Sequence, residues 1–451
     1  MEPLDPLFGF ESIDLIFAAG SRVQRMLDFE AALARAEGRV GVIPKAAAAA
    51  IAASCRVGLF DLEALARDTR SAGNLAIPMV KQLTALVGKG DADAVRYVHW
   101  GATSQDAIDT GLVLQLRDAL ALMGDDLKRL CDHLTALCEK HRRTVVAGRT
   151  WMQHAVPTVF GLKTAGWLDA MVRHKGRLAE LRARVLVLQF GGAAGTLATL
   201  GSQGLAVAKA LAEELGLDLP ALAWHAERDR VAEVGATLGL LTGSLGKIAR
   251  DISLQMQTEV GEVLEPSRPG RGGSSTMPHK RNPVACAVVL AAAARVPGLT
   301  GTMLAAMSQE HERGLGGWHA EWETLPEIAR LSAGALHHLV ETVAELEIDA
   351  RRMRQNLEMT RGLIFAEAVA VALAKHMGKP AAHEVVEFAA RRAIAENQHL
   401  REVLRADAQV TAALKAEEID ELFEPLNYLG VADQLIDRAI GARKGLPPEG
   451  Q

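Results

Sequence analysis

Two long runs of regularly spaced apolar residues constrain this fold more than any other feature of the sequence. In the first, apolar positions alternate in steps of four and three and comprise Leu116, Leu120, Met123, Leu127, Leu130, Leu134 and Leu137. In the second they comprise Val231, Val234, Leu238, Leu241, Leu245, Ile248 and Ile252. This spacing keeps every member of a run on one face of an α-helix, whereas a strand would require alternation every two residues. The sequence therefore predicts long helices that pack along apolar faces.

The composition extends this prediction to the rest of the chain. Aromatic residues make up only 4% of it, β-branched runs are few, and helix-favouring Ala, Leu, Glu, Arg and Lys dominate. We therefore predict an all-α protein with an N-terminal helical domain (1–104), a central five-helix bundle (105–355) and a C-terminal helical domain (356–451). The alanine-rich stretch 284–306 is expected to be a helix buried on every side, and such a small-residued helix favours packing by other subunits.

Charge and cysteine content exclude several classes of protein. The formal net charge is −5 and 49% of residues are hydrophobic, so nucleic acid is not an expected partner. The cysteines are scattered and predict buried free thiols rather than disulfides or a metal site; they are Cys55, Cys131, Cys138 and Cys286.

The N-terminus lacks a basic region followed by an apolar core, and the longest uncharged apolar stretch, 284–294, is too short to span a bilayer. We therefore expect a cytoplasmic protein with no membrane partner.

The glycine-rich stretch 270–283 is the most informative loop. Its glycines allow close approach of the backbone to a ligand. Asn282 occupies a predicted N-cap and Pro283 the first helical position, so the loop leads into the start of the alanine-rich helix. Free N–H groups at that helix start, together with Lys280, predict an anion site suited to a carboxylate.

A serine on this loop is a candidate proton-transfer group. Ser274 or Ser275 would lie in the same positive field, which lowers the cost of an alkoxide. One ammonium about 4 Å away contributes about 4 kcal/mol at an effective dielectric near 20, so Lys280 would need help from other donors. Taken without the residues that follow it, the Gly-Gly-Ser-Ser segment fits a surface loop that only connects helices as well as it fits a catalytic loop.

The continuation Met277-Pro-x-Lys-x-Asn-Pro283 completes a pattern that closely resembles the signature of the fumarase/aspartase superfamily. The resemblance implies a homotetramer of three helical domains with a long central bundle, and active sites assembled from three subunits. It implies a small polycarboxylate substrate and no cofactor or metal. By position, Ser274 matches the catalytic proton donor or acceptor, and Lys280 and Asn282 match the contacts to the substrate carboxylate.

Two further blocks resemble the same superfamily. In Val98–Asp106, Thr103 and Ser104 match residues that hydrogen-bond a substrate carboxylate, although the stretch alone would indicate only a helix cap. The block Gly148–Pro157 resembles the binding stretch of adenylosuccinate and argininosuccinate lyases. There Thr150 and Gln153 match binding residues.

Trp151 departs from that pattern, because those lyases have a histidine at its position. The histidine helps to protonate a nitrogen leaving group, since an amine departs poorly as an anion. A carboxylate, with a pKa near 4, leaves without a proton, so the loss of histidine points to a reaction that forms or opens a lactone. His154, three residues on, could replace the acid and keeps amine elimination open.

Other stretches resemble the bacterial 3-carboxy-cis,cis-muconate cycloisomerases, and the likeness runs from about Phe17 to Asp437. They are Gly73–Lys81, Gln189–Thr196 and Trp318–Trp322. The resemblance implies conversion of 3-carboxy-cis,cis-muconate to 4-carboxymuconolactone in the degradation of aromatic compounds. The alternatives are amine elimination of the adenylosuccinate lyase type and a catalytically silent structural relative.

The remaining histidines divide into two groups. His99 precedes the Thr103 block, and His311 and Arg313 lie where relatives carry a binding stretch, so each of the three fits a site role or a structural one. His337 and His338 are expected at solvent or at an interface, and no His-Glu-x-x-His zinc motif is present in the sequence.

Overall fold

The computed structural model describes residues 5–266, 272–273, 277 and 280–444. Helices dominate it, as predicted for an all-α protein. The amino-terminal helices are α1 (Asp5–Phe8), α2 (Glu11–Phe17), α3 (Ala19–Val40), α4 (Lys45–Ser54), α5 (Leu62–Ala72) and α6 (Ala76–Gly90). Helix α3 ends at Gly41, whose left-handed backbone (φ 87°) lets its N–H bond back to Glu37.

Five long helices follow, with one shorter helix among them. They are α7 (Ser104–Lys140), α8 (Phe160–Val185), α9 (Gly204–Leu215), α10 (Asp229–Gln255), α11 (Val284–Ala305) and α12 (Gly317–Ala344). Every residue of the two periodic runs is at most 9% exposed. The spacing therefore identified both the helices, α7 and α10, and the faces that they bury.

Shorter helices complete the chain. They are α13 (Ala350–Leu357), α14 (Ala366–Met377), α15 (Lys379–Ala395), α16 (Leu400–Arg405), α17 (Ala408–Ala413), α18 (Ala416–Leu422) and α19 (Ala432–Lys444). Helices α14 and α15 pack against each other, and α15 contacts α16. All four cysteines are buried free thiols, as predicted.

A β-hairpin interrupts the helices where the sequence analysis foresaw no strand. Strands β1 (Val145–Thr150) and β2 (Gln153–Val159) pair antiparallel, with a register shift between Ala147 and Arg149. A second short pair joins β3 (Val263–Leu264) to β4 (Glu347–Ile348). The first hairpin carries Thr150 and Gln153, which the sequence analysis placed in the site.

Helix α11 departs from its prediction in two respects. It is not buried on every side, because one face is exposed in the described chain and consists mainly of small residues, among them Ala287, Ala294, Gly298 and Gly301. By length and composition it could also cross a membrane, so the argument that the apolar stretch is too short was wrong. The uncharged stretch ends at Arg295, which forms an ion pair with Glu327 of α12, but the apolar helix continues past it to Ala305.

Contacts divide the chain into two compact units. Unit 1 contains Met1–Leu127, His174–Gly246 and Val288–His338, and unit 2 contains Lys128–Arg173, Lys247–Ala287 and Leu339–Gln451. Each boundary falls inside one of the five long helices. In unit 1, α3 packs against α4 and α9. The three-domain division at residues 104 and 355 stays a prediction.

Candidate active site

In unit 1 the structure brings together two candidate residues that are far apart in sequence. The Arg313 Nη1 donates to the Thr103 Oγ1 at 2.9 Å, and its Nη2 donates to the backbone carbonyl of Ala193 at 2.9 Å. Both side chains are half-buried. A guanidinium beside a hydroxyl provides several donors in one place, which suits a carboxylate.

The start of α7 holds Thr103 in place. The Asp106 carboxylate accepts from the Thr103 N–H at 3.0 Å, and the Thr103 carbonyl accepts from the Asp106 N–H at 2.9 Å. The side-chain bond is one half of a capping box, with Asp in the position where Glu or Gln is usual, while the other bond is between backbone groups. The helix cap predicted from the sequence is thus present, and Ser104, half-buried, is the first residue of the helix.

Asp106 also organises the loop opposite Thr103. Its carboxylate accepts from the Gly191 N–H at 3.1 Å, the Gly192 N–H at 2.9 Å and the Gln189 side-chain amide at 3.1 Å. The His225 Nε2 lies 2.7 Å from its Oδ1. Asp106 is fully buried, so these donors replace the water that an ionised carboxylate would otherwise need.

A second buried network lies one helical turn further along α7. Arg228 forms hydrogen bonds to both Asp109 and Glu321, with distances of 2.7 Å to Asp109 and 3.0 Å to Glu321. Burial lowers the pKa of Arg228, but the two carboxylates raise it more, so the guanidinium stays charged. Trp318 donates to Asp109 at 3.0 Å. The network ties the starts of α7 and α12 together and so supports the segment that carries Arg313.

His99 lies on the same segment as Thr103 and has a specific partner. Its Nδ1 is 2.6 Å from the Oε1 of Glu30 on α3. His311, by contrast, is exposed with a left-handed backbone (φ 48°). His337 and His338 are both half-buried: His337 stacks on Phe10 at 4.2 Å and bonds to Asp126, and His338 Nε2 lies 3.0 Å from the Leu7 carbonyl oxygen.

In unit 2 the tip of the β1–β2 hairpin carries three candidate residues. Thr150 pairs with Gln153 across the two strands, and both are exposed. The two residues between them have left-handed backbones, with φ 51° at Trp151 and φ 67° at Met152. Trp151 is 97% exposed. Two positive φ values in a two-residue loop are typical of a type I′ turn.

The hairpin is anchored by an ion pair that the sequence analysis missed. Arg149 makes two hydrogen bonds, at 2.7 and 2.9 Å, to the fully buried carboxylate of Glu262. Asn356 donates to the same carboxylate at 2.8 Å. Burial and the charge of Arg149 lower the pKa of His154. His154 is therefore mostly neutral at pH 7, which weakens its case as the replacement acid.

Ser274 lies outside the described residues, as does Ser275; the described residues nearest to them in sequence are Gly273 and Met277. Gly273 forms a β-bridge with Arg281, and the Asn282 N–H donates to the Gly272 carbonyl at 2.8 Å. Lys280 is exposed and Asn282 half-buried.

The start of α11 does not provide the predicted set of free N–H groups. The buried carboxylate of Glu265 accepts from the N–H groups of Ala285 at 3.1 Å and Cys286 at 2.8 Å. The helix begins at Val284, one residue later than predicted, and Pro283 supplies the first accepting carbonyl. The protein's own acid thus occupies the two N–H groups, so an incoming anion would have to rely on Lys280 and other donors.

Comparison with known proteins confirms the family that the signature motif predicted. The model of a family described as "Lyase" matches residues 7–298. The chain belongs to this lyase family. The carboxy-terminal part, residues 362–439, also matches a model described as "Adenylosuccinate lyase C-terminus".

Individual relatives of the lyase match over nearly its whole length. A 3-carboxy-cis,cis-muconate cycloisomerase of Pseudomonas aeruginosa is 57% identical and spans 98% of this chain and 96% of its own. The crystal structure of the 3-carboxy-cis,cis-muconate lactonizing enzyme from Pseudomonas putida has a TM-score of 0.95 at 53% identity, covering 98% of this chain and 99% of its own. That of the β-carboxy-cis,cis-muconate cycloisomerase from Acinetobacter calcoaceticus sp. ADP1 has a TM-score of 0.93 at 46% identity, covering 97% and 99%.

The candidate residues of the lyase are divided between its two units. Unit 1 holds His99, Thr103, Ser104, His311 and Arg313, and unit 2 holds Thr150, Trp151, Gln153, His154, Lys280 and Asn282. The described residues contain no group of three or more His, Cys, Asp or Glu placed to hold a metal ion. Asp106 lies within the Val98–Asp106 block, but Glu262 and Glu265 had no motif of their own, because each binds partners distant in sequence.

Proposed function

We propose that this lyase is a cycloisomerase that converts 3-carboxy-cis,cis-muconate to 4-carboxymuconolactone. Trp151 supports this choice among the reactions of the family. An indole at the hairpin tip cannot supply the proton that an amine leaving group needs, and His154 is mostly neutral because its pKa is lowered. A carboxylate needs no such proton. The names of the close relatives in Pseudomonas and Acinetobacter support the same choice.

The substrate would be held through its carboxylates. Thr103 and Arg313 already form a donor pair that suits one carboxylate. Lys280 and Asn282 are assigned to the carboxylate next to the reacting carbon. Thr150 and Gln153 would bind from the exposed hairpin tip, and Ser104 would contribute its hydroxyl beside Thr103.

The reaction forms one C–O bond and one C–H bond. A substrate carboxylate adds to the conjugated double bond, and negative charge moves onto the neighbouring carboxylate, giving an aci-carboxylate that Lys280 and Asn282 stabilise. Ser274 then protonates the adjacent carbon and is reprotonated from solvent. The tricarboxylate substrate becomes a lactone with two carboxylates, so each turnover takes up one proton from solvent and consumes no other reactant.

We further propose a homotetramer with sites shared between subunits. The exposed small-residue face of α11 supports this, because small residues allow helix backbones to approach closely. Burial of α11 between subunits would also account for its apolar composition without a bilayer. Because burial of α11 between subunits would leave no helix that needs a bilayer among the described residues, we place the enzyme in the cytoplasm.

An absorbance assay on the purified protein tests the function. Lactone formation breaks the conjugated diene, so ultraviolet absorbance should fall on addition of 3-carboxy-cis,cis-muconate. Ser274→Ala should reduce kcat by at least about 100-fold, the lower end of what positioned proton transfer contributes, with the oligomer intact by light scattering. Turnover of adenylosuccinate instead would favour amine elimination, and no turnover of either would favour a silent relative.

A further inference from the structure

Glu30 is a buried acid with a single hydrogen-bonding contact among the described residues. Its side chain has no exposed surface, and its Oε1 lies 2.6 Å from the Nδ1 of His99. Its Oε2 has no hydrogen-bond partner in the described part of the chain. A buried carboxylate costs several kcal/mol unless a charged or hydrogen-bonding group compensates it. The imidazole of His99 provides that compensation.

Of the two side chains, only the His99 ring reaches the surface of the protein. The His99 side chain keeps 15% of its surface exposed, whereas Glu30 keeps none. Because Nδ1 faces the buried acid, Nε2 is the ring nitrogen left for another contact.

The backbone around His99 is held in a strained form. His99 has a left-handed backbone with φ 57°. A left-handed conformation costs a non-glycine residue about 1–2 kcal/mol, and such residues cluster at functional sites. His99 precedes Thr103 by four residues in the sequence. The charge of Asp106, whose carboxylate accepts from the Thr103 N–H, contributes to raising the pKa of the His99 ring.

We infer that Glu30 is a positioning residue, which holds His99 by Nδ1 so that the Nε2–H is presented to a substrate carboxylate beside Thr103 and Arg313. The inference rests on the proposed function, whose substrate carries three carboxylates. Lys280 and Arg313 are the cations assigned to two of these carboxylates. A protonated His99 would be the third cation.

The direction of the pH dependence follows from the neighbours of His99. Burial lowers the pKa of the ring, but Glu30 and the charge of Asp106 raise it more, so the net shift is upward. The ring therefore keeps its charge above its ordinary pKa, and binding through it is lost only as the pH rises through the raised value. Near Glu30, Glu37 has a pKa of about 9, and burial raises the pKa of Cys55. Both of these groups are neutral at pH 7.

The first experiment compares Glu30→Gln with Glu37→Gln over about pH 6 to 9. Both variants remove a buried acid from α3, but only Glu30 contacts His99. Above pH 7, Glu30→Gln should raise KM roughly 10-fold or more, with a smaller change in kcat, and the difference should shrink towards pH 6. His99→Gln should raise KM across the whole range. Equal effects of Glu30→Gln and Glu37→Gln, or an unchanged pH profile in Glu30→Gln, would refute the inference.

The second experiment does not depend on the substrate. The full-length protein labelled with ¹⁵N-histidine is titrated by NMR, and the His99 signal is assigned by its loss in His99→Gln. Glu30→Gln should move the midpoint of that signal to lower pH, and Glu37→Gln should not. Wild-type protein that is inactive on 3-carboxy-cis,cis-muconate would count against the proposed function, whereas an unmoved midpoint would count against the role of Glu30.

Discussion

Glu37 shows what burial does to an acid that lacks a partner. It lies two turns after Glu30 on α3, has no exposed surface, and neither of its carboxylate oxygens has a hydrogen-bond partner among the described residues. Burial, and secondarily the charge of Glu30, raises its pKa to about 9. The two acids look equivalent in the sequence. They differ because His99 reaches only one of them, and no helical pattern predicts that contact.

This difference predicts how the stability of the protein depends on pH. Between the ordinary value of 4.5 and about 9, the folded state holds a proton on Glu37 that the unfolded state releases. Stability should therefore fall with rising pH by up to about 1.4 kcal/mol per unit per chain from this group alone. Glu37→Gln removes the effect, so its melting temperature should exceed that of the wild type more at pH 8 than at pH 5. A constant difference in calorimetry would contradict the raised pKa.

At the scale of elements, helices were predictable and the hairpin was not. The buried faces of α7 and α10 follow from a spacing of apolar residues that repeats over many turns. They can therefore be predicted without knowledge of the tertiary contacts. The turn at Trp151 and Met152 lacks the Asn-Gly pair that normally marks a type I′ turn. Its shape is imposed by the paired strands and by the contact of Arg149 with Glu262.

Met152→Gly tests the strain in this turn. The Met152 side chain is 75% exposed, so its removal loses little packing, while glycine adopts the left-handed backbone without steric cost. We expect a gain of roughly 0.5–1 kcal/mol in stability, seen as a higher melting temperature in calorimetry. Val156→Gly, in strand β2 without a positive φ, is the matched control and should lower it. A loss of stability in Met152→Gly would show that the turn is not strained.

The candidate site was partly predictable at this scale. Thr103 and Arg313 were named from short motifs, and the structure joins them. The N–H groups at the start of α11 were assigned to substrate, but Glu265 occupies two of them. That acid lies on the far side of the glycine-rich stretch, and only the folded chain brings it to the helix.

At the scale of the whole molecule, the exposed face of α11 predicts assembly. Ala294→Arg places a long charged side chain on this face, where close helix packing leaves no room for it. We expect light scattering to show species smaller than the proposed tetramer, and activity to fall because the proposed sites shared between subunits are lost. Ala381→Arg, exposed on α15, is the control and should keep the wild-type mass. An unchanged mass for Ala294→Arg would place the interface elsewhere.

Glu265 fastens both ends of the glycine-rich stretch. Its carboxylate binds the helix start that follows the stretch, while its carbonyl accepts from Arg281, which in turn pairs with Glu347. The stretch between these anchors is therefore an insert with fixed attachment points. We therefore expect that a loop graft within these boundaries can replace the interior with that of another family member without rebuilding the helices.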